Sequence, residues 1–154
     1  MKIISFRDKK GESFGIVDGN GRIVDVGRKS PYSSIRDALK ADALEELAKI
    51  AADEVPTTGM GDIELLPVIP NPDKIICAGL NYKDHAEQFT DEMPENVTLF
   101  SRLNNTLVAH GDPIIRPQIS SNFDFEGELA LIIGKGGRHI TEVDVLSHIA
   151  AVSY

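Results

Sequence analysis

The sequence predicts an α+β protein, with a small N-terminal β-hairpin and helix domain followed by a mixed, mostly β segment. Three observations predict it. The stretch SFGIVDGNGRIVDV places two short β-rich runs around Asp18-Gly19-Asn20-Gly21, where Gly and Asn accept the positive φ of a tight turn. Residues 34–53 repeat apolar side chains at helical spacing through Ile35, Ala38, Leu39, Leu44, Leu47, Ala48, Ile50 and Ala51. Beyond Pro72 the apolar runs shorten and turn residues separate them, as strands require.

Taken in order, Lys2–Phe6 alternates weakly ahead of the hairpin. Ser33 or Ser34 can cap the helix, and Val55-Pro56-Thr57-Thr58-Gly59 stops it. Pro67, Pro70 and Pro72 then suit an extended connector, which puts a domain boundary near residue 70. The division expected is 1–70 for the small N-terminal domain and 71–154 for the second. In the second, Lys74–Ala78 reads as a strand, and Asn81 can cap a helix running to about Phe89 with Asp84 in its first turn. Thr90–Val97 is polar and acidic and reads as a mobile loop. Thr98–Arg102 and Pro113–Arg116 are expected strands joined through His110-Gly111-Asp112-Pro113. Phe123–Ile133 is the strongest strand pattern in the chain. Ala150-Ala151-Val152-Ser153-Tyr154 has no closing turn, cap or polar tail. The chain therefore reads as a piece of a longer polypeptide, with a natural C-terminal edge strand as the alternative.

Composition narrows the function classes. The 154 residues are 42% hydrophobic and 26% charged, a globular balance. A net charge of -8 repels phosphate backbones and anionic membranes, so neither is an expected partner. The single cysteine cannot form an internal disulfide and fits a reducing compartment. No apolar run approaches the ~18 residues of a membrane span, and Arg7, Asp8, Lys9 and Lys10 interrupt any signal-peptide core. A soluble, cytoplasmic protein is expected.

The main chemical signal is FDFEGELALIIGK. On a strand, side chains two apart share a face, so Asp124, Glu126 and Glu128 would point together. That face continues as Ala130 and Ile132, which predicts carboxylates at the mouth of a buried strand. Like charges so placed need a cation or strong hydrogen bonds, and carboxylate oxygens suit Mg²⁺, Mn²⁺ or Ca²⁺. A solvated sheet face with ordinary acidic residues explains the same pattern. The other signals are weaker. His85 on a short helix is commonly a surface histidine, and His110, His139 and His148 lack ligand spacing to each other or to Cys77. Gly134-Lys135-Gly136-Gly137 lacks a phosphate loop's Gly-Lys-Ser/Thr ending and reads as a hairpin turn. Cys77 reads as core.

IICAGLNYKDHAEQF, LFSRLNNTLVAHGDPIIRP and FDFEGELALIIGK, in that order, resemble the fumarylacetoacetate hydrolase family over roughly residues 70–154. The resemblance covers about the first half of that family's catalytic domain; the first 70 residues look like the N-terminal domain of many bacterial members. It implies a mixed, mostly β roll, a homodimer, and a Glu-x-Glu pair, here Glu126 and Glu128, holding Mg²⁺ or Mn²⁺. It implies that His85 belongs to a catalytic dyad under a lid of about Asp84–Val97. Tyr82 and Arg102 are implied to bind substrate. An ordinary strand-end charge explains Arg102 equally well. The implied substrates are 2-oxo or 1,3-dioxo acids.

Two departures bear on the reaction. The dyad's usual glutamate, three residues after the histidine, is here Gln88, which can orient a water but not accept its proton. The family's third metal ligand, an aspartate in the next strand, would fall just past Tyr154. The resemblance implies a metal-dependent hydrolase cleaving a C–C bond in an acylpyruvate-type acid. The alternatives are an oxaloacetate decarboxylase, an enol/keto isomerase, or a non-catalytic metal-binding homologue.

Overall fold

The computed structural model describes residues 1–87 and 95–153, with the side chain of His85 left out. Gln88, the end of the expected helix at Phe89, and half of the expected lid lie outside the described residues. The chain divides into two compact units, Met1–Ile69 with Val108–Tyr154, and Pro70–Leu107.

In the first unit, β1 (Lys2–Asp8), β2 (Gly11–Val17), β3 (Arg22–Val24), β4 (Thr58–Gly59) and β5 (Glu64–Leu65) form one antiparallel sheet in the order β4-β3-β2-β1-β5. The β2–β3 turn is the one the sequence predicts. The Asp18 carboxylate accepts from the amides of Asn20 and Arg22, both at 2.8 Å, while Gly21 sits at φ 76°. The β1–β2 turn, with Gly11 at φ 107°, is not predicted by the weak alternation ahead of it.

Both faces of this sheet are covered at its centre. On one face Phe14, Val24 and Val26 pack with Ile35, Ala38 and Leu47 of the helices. On the other lie Phe6 and Ile23, both fully buried. Gly15 makes this possible, because a Cβ there would stand 2.5 Å from Ile23 Cγ2 and 2.8 Å from the Val24 carbonyl oxygen.

The single helix expected over 34–53 is two, α1 (Ile35–Lys40) and α2 (Leu44–Asp53). Ser34 caps the first as expected, its Oγ accepting from the Asp37 amide at 3.1 Å. Asp42 then turns left-handed at φ 55°. Its amide donates to Leu39 and the Ala43 amide donates to Ala38, both at 3.0 Å. This double closure is a Schellman ending. Ala38 and Ala43 are both buried, which supplies the apolar contact that accompanies it.

The same unit contains β8 (Ala130–Ile133) and β9 (Ile149–Ser153), an antiparallel pair with an irregularity between Ile132 and Ile133. The strand expected over 123–133 is therefore confined to its last four residues. Residues 123–129 are exposed and without regular structure, and Pro113–Arg116 forms no strand. The ladder of β9 places Ser153, its last described residue, opposite Ala130. Gly134 opens a connection that runs on to His148, whose carbonyl accepts from the Gly134 amide at 3.0 Å. It is not a tight turn.

In the second unit, β6 (Ile75–Gly79) pairs antiparallel with β7 (Thr98–Arg102), matching Cys77 to Phe100. The α3 helix (Lys83–Ala86) follows β6. Asn104 Nδ2 donates to the Pro72 carbonyl at 2.8 Å and ties the ends of this unit together.

Candidate functional site

The second unit positions three of the six candidate residues. The turn after β6 uses Leu80 at φ 54°, and the Tyr82 carbonyl then accepts the Ala86 amide at 2.9 Å to start α3. Tyr82, rather than Asn81, thus supplies the first helical acceptor. Ala86 is fully buried, which anchors this one-turn helix, and its backbone carries His85. Tyr82 itself is 43% exposed.

Arg102 closes β7 opposite Ile75. Its guanidinium carbon stands 5.3 Å from the centre of the Phe100 ring. The two residues share a strand face at i, i+2, and such a cation–π contact stabilises by about 0.5–1 kcal/mol at an exposed site. A contact of this kind restricts the guanidinium without consuming its N–H donors. Phe100 was not singled out in the sequence, although its i, i+2 spacing from Arg102 on a strand was the signal that could have found it.

Glu126 and Glu128 lie in the first unit, in the irregular exposed segment before β8. The pleat that was expected to align them is absent there, because no strand pairs with these residues among those described. Asp124 turns to local work, its Oδ1 accepting from the Phe125 amide at 2.8 Å. Among the described residues, no group of three or more His, Cys, Asp or Glu side chains is gathered as a metal site. The chemistry of the pair still suits a hard divalent cation: two carboxylates, both solvent-facing, leave most of the coordination shell to water or to a chelating ligand. Gln88 lies outside the described residues.

The C-terminal domain family described as fumarylacetoacetate (FAA) hydrolase C-terminal matches residues 74–154. The chain belongs to the fumarylacetoacetate hydrolase family, whose members are enzymes. Among curated relatives, the mitochondrial oxaloacetate tautomerase Fahd2a of Rattus norvegicus is 36% identical, over 70% of this chain and 34% of its own length. The mitochondrial oxaloacetate tautomerase FAHD2A of Homo sapiens is 29% identical over 97% of this chain and 50% of its own. Among solved structures, the fumarylacetoacetate hydrolase of psychrophilic Exiguobacterium antarcticum superposes with a TM-score of 0.73 at 25% identity, covering 99% of this chain and 54% of that one. This chain thus spans about half the length of relatives that match it throughout, and the α+β architecture is theirs. Among the described residues no helix is long and apolar enough to cross a membrane.

Proposed function

We propose that this chain carries part of the active site of an enzyme that interconverts the keto and enol forms of a 2-oxo dicarboxylic acid of the oxaloacetate type. The observation that supports it best is the likeness to two oxaloacetate tautomerases, one of them along nearly the whole chain. Gln88 supports it further. Tautomerisation takes a proton from carbon and returns one to oxygen, with no attacking water, so a dyad lacking a carboxylate base is less of a handicap.

In this reading Arg102, stacked on Phe100, holds a substrate carboxylate through paired N–H donors. Tyr82, immediately before the helix that carries His85, would offer its phenol as a further hydrogen-bonding group to the substrate. His85 shuttles the proton between the carbon next to the keto group and solvent, as a neutral imidazole can near pH 7. Glu126 and Glu128 would hold Mg²⁺ or Mn²⁺, or alternatively Ca²⁺. When bound, the cation supplies Lewis-acid stabilisation of a developing oxygen anion. The half-buried free thiol of Cys77 suits a reducing compartment, the cytoplasm or a mitochondrial matrix.

The test, made on the whole enzyme that contains this chain because the 154 residues alone are expected to be inactive, is the decay of enol-oxaloacetate with and without Mg²⁺ or Mn²⁺. Acceleration that Glu126→Gln removes, together with a raised KM in Arg102→Met, is expected. Equal decay with and without the protein at saturating metal would overturn the proposal. A second reading, hydrolysis of an acylpyruvate, is favoured by the hydrolase domain that the family match describes. It is distinguished by release of pyruvate.

A further inference from the structure

The register of β6 and β7 sets the order of side chains on one face of their ribbon. Ile75 stands opposite Arg102, Cys77 opposite Phe100 and Gly79 opposite Thr98, and positions two apart on each strand share that face. Phe100 is therefore the middle position of its row. Arg102 follows it along β7, and Gly79 lies diagonally across the ladder on its other side. Diagonal neighbours of this kind are within reach of an aromatic side chain.

The ring meets both. A Cβ at Gly79 would stand 3.6 Å from Phe100 Cε1, so the ring leans over the position on this face that has no side chain. The same ring carries the Arg102 guanidinium, whose central carbon is 5.3 Å from its centre. Gly79 is also the last residue of β6, where the chain turns through Leu80 at φ 54° toward Tyr82 and α3. One side chain thus spans from the root of that turn to the guanidinium.

We propose that Phe100 is a positioning residue: leaning over Gly79 and stacking with Arg102, it fixes the guanidinium plane relative to the β6–α3 turn before a substrate carboxylate arrives. The inference rests on the reading of Arg102 as the group that holds that carboxylate. An arginine side chain is rotamer-rich, and ordering it on binding costs affinity. A guanidinium already laid against a ring has given up part of that freedom. Phenylalanine supplies the platform at low entropic cost, because an aromatic side chain has few rotatable bonds. The stack is made equally in the ground and transition states, so its loss weakens binding and leaves the chemical step alone.

The experiment uses the whole enzyme that contains this chain, with Mg²⁺ present. The probe is malate, which has the two carboxylates of oxaloacetate and no keto group to tautomerise. Calorimetry should show malate binding weakened at least tenfold in Arg102→Met. In Phe100→Leu it should weaken about two- to fivefold, the size of a cation–π contact at an exposed site, with KM for enol-oxaloacetate raised to match and kcat unchanged. Phe100→Tyr should restore both. Adding Phe100→Leu to Arg102→Met should cost nothing more, because a residue that acts through Arg102 has no effect once the guanidinium is gone. Phe100→Met serves as the second variant if Phe100→Leu does not fold. Unchanged malate affinity in Phe100→Leu, no rescue by Phe100→Tyr, or an equal loss in the Arg102→Met background would each overturn the proposal. Unchanged affinity in Arg102→Met would overturn the role of Arg102 and this inference with it. An enzyme that binds malate through Arg102 yet leaves enol-oxaloacetate decay unaltered would overturn the tautomerase reading, while the Phe100 variants still decide the positioning role.

Discussion

Arg28 grips Asp8 with both arms of its guanidinium, Nη2 to Oδ1 at 2.7 Å and Nη1 to Oδ2 at 2.8 Å. The same guanidinium donates to Asp25 at 2.6 Å and to the Gly11 carbonyl at 2.9 Å. It therefore joins the turn after β3 to the β1–β2 hairpin, and it stands 5.8 Å from the centre of the Phe6 ring.

An acid limb in stability follows. The bond from Arg28, and after it the Lys10 amide, hold the Asp8 carboxyl below its usual 3.8. The amides of Arg22 and Asn20 do the same for Asp18. A carboxyl lowered by folding adds stability that is full above its unfolded value and is lost as pH falls through the folded one. Melting temperature should be level from neutral pH to about 5 and fall below about pH 4. In Asp8→Asn that acid limb should be shallower; an unchanged limb counts against the linkage.

Gly15→Ala should destabilise the first unit by about 1–3 kcal/mol, the range for overpacking a close-packed site. The added methyl meets Ile23 at 2.5 Å and the Val24 carbonyl at 2.8 Å, and the backbone oxygen cannot rotate away. Urea titration would show the loss as a lower midpoint with an unchanged slope.

Leu47→Ala should cost about 2–5 kcal/mol. Leu47 is fully buried in the cluster that joins α2 to the sheet. Far-ultraviolet circular dichroism on heating measures it, and a loss below ~1 kcal/mol would mean that the helices close over the gap.

Gln88→Glu separates the two reactions. General-base assistance contributes about 10²–10⁴-fold, so a restored carboxylate should raise acylpyruvate hydrolysis at least severalfold and change oxaloacetate tautomerisation much less. His85→Ala should remove both. Unchanged hydrolysis in Gln88→Glu would place water attack outside this protein's chemistry.

What was legible in the sequence were features whose cause lies within a few residues. The turn at Asp18–Gly21 needs a residue that tolerates positive φ and a side chain that accepts backbone amides, and both identities are written there. Ser34 as a cap is equally local. The break between α1 and α2 was hidden, because Asp42 takes the left-handed position usually held by Gly while the apolar period continues from Leu39 to Leu44. Of the candidate site, the family motifs marked Glu126, Glu128 and Arg102, but the stacking of Arg102 on Phe100 appeared only in the structure.

By itself, then, the sequence determined the family, the α+β class, the N-terminal turn and cap, and the residue types available for chemistry. Tertiary structure alone decided where alternation becomes a strand. Asp124, Glu126 and Glu128 alternate as well as any strand, yet among the described residues regular structure begins at Ala130, opposite Ser153, the last described residue of β9. Side-chain periodicity is a property of one segment, whereas a strand exists only when a second segment satisfies its backbone N–H and C=O groups.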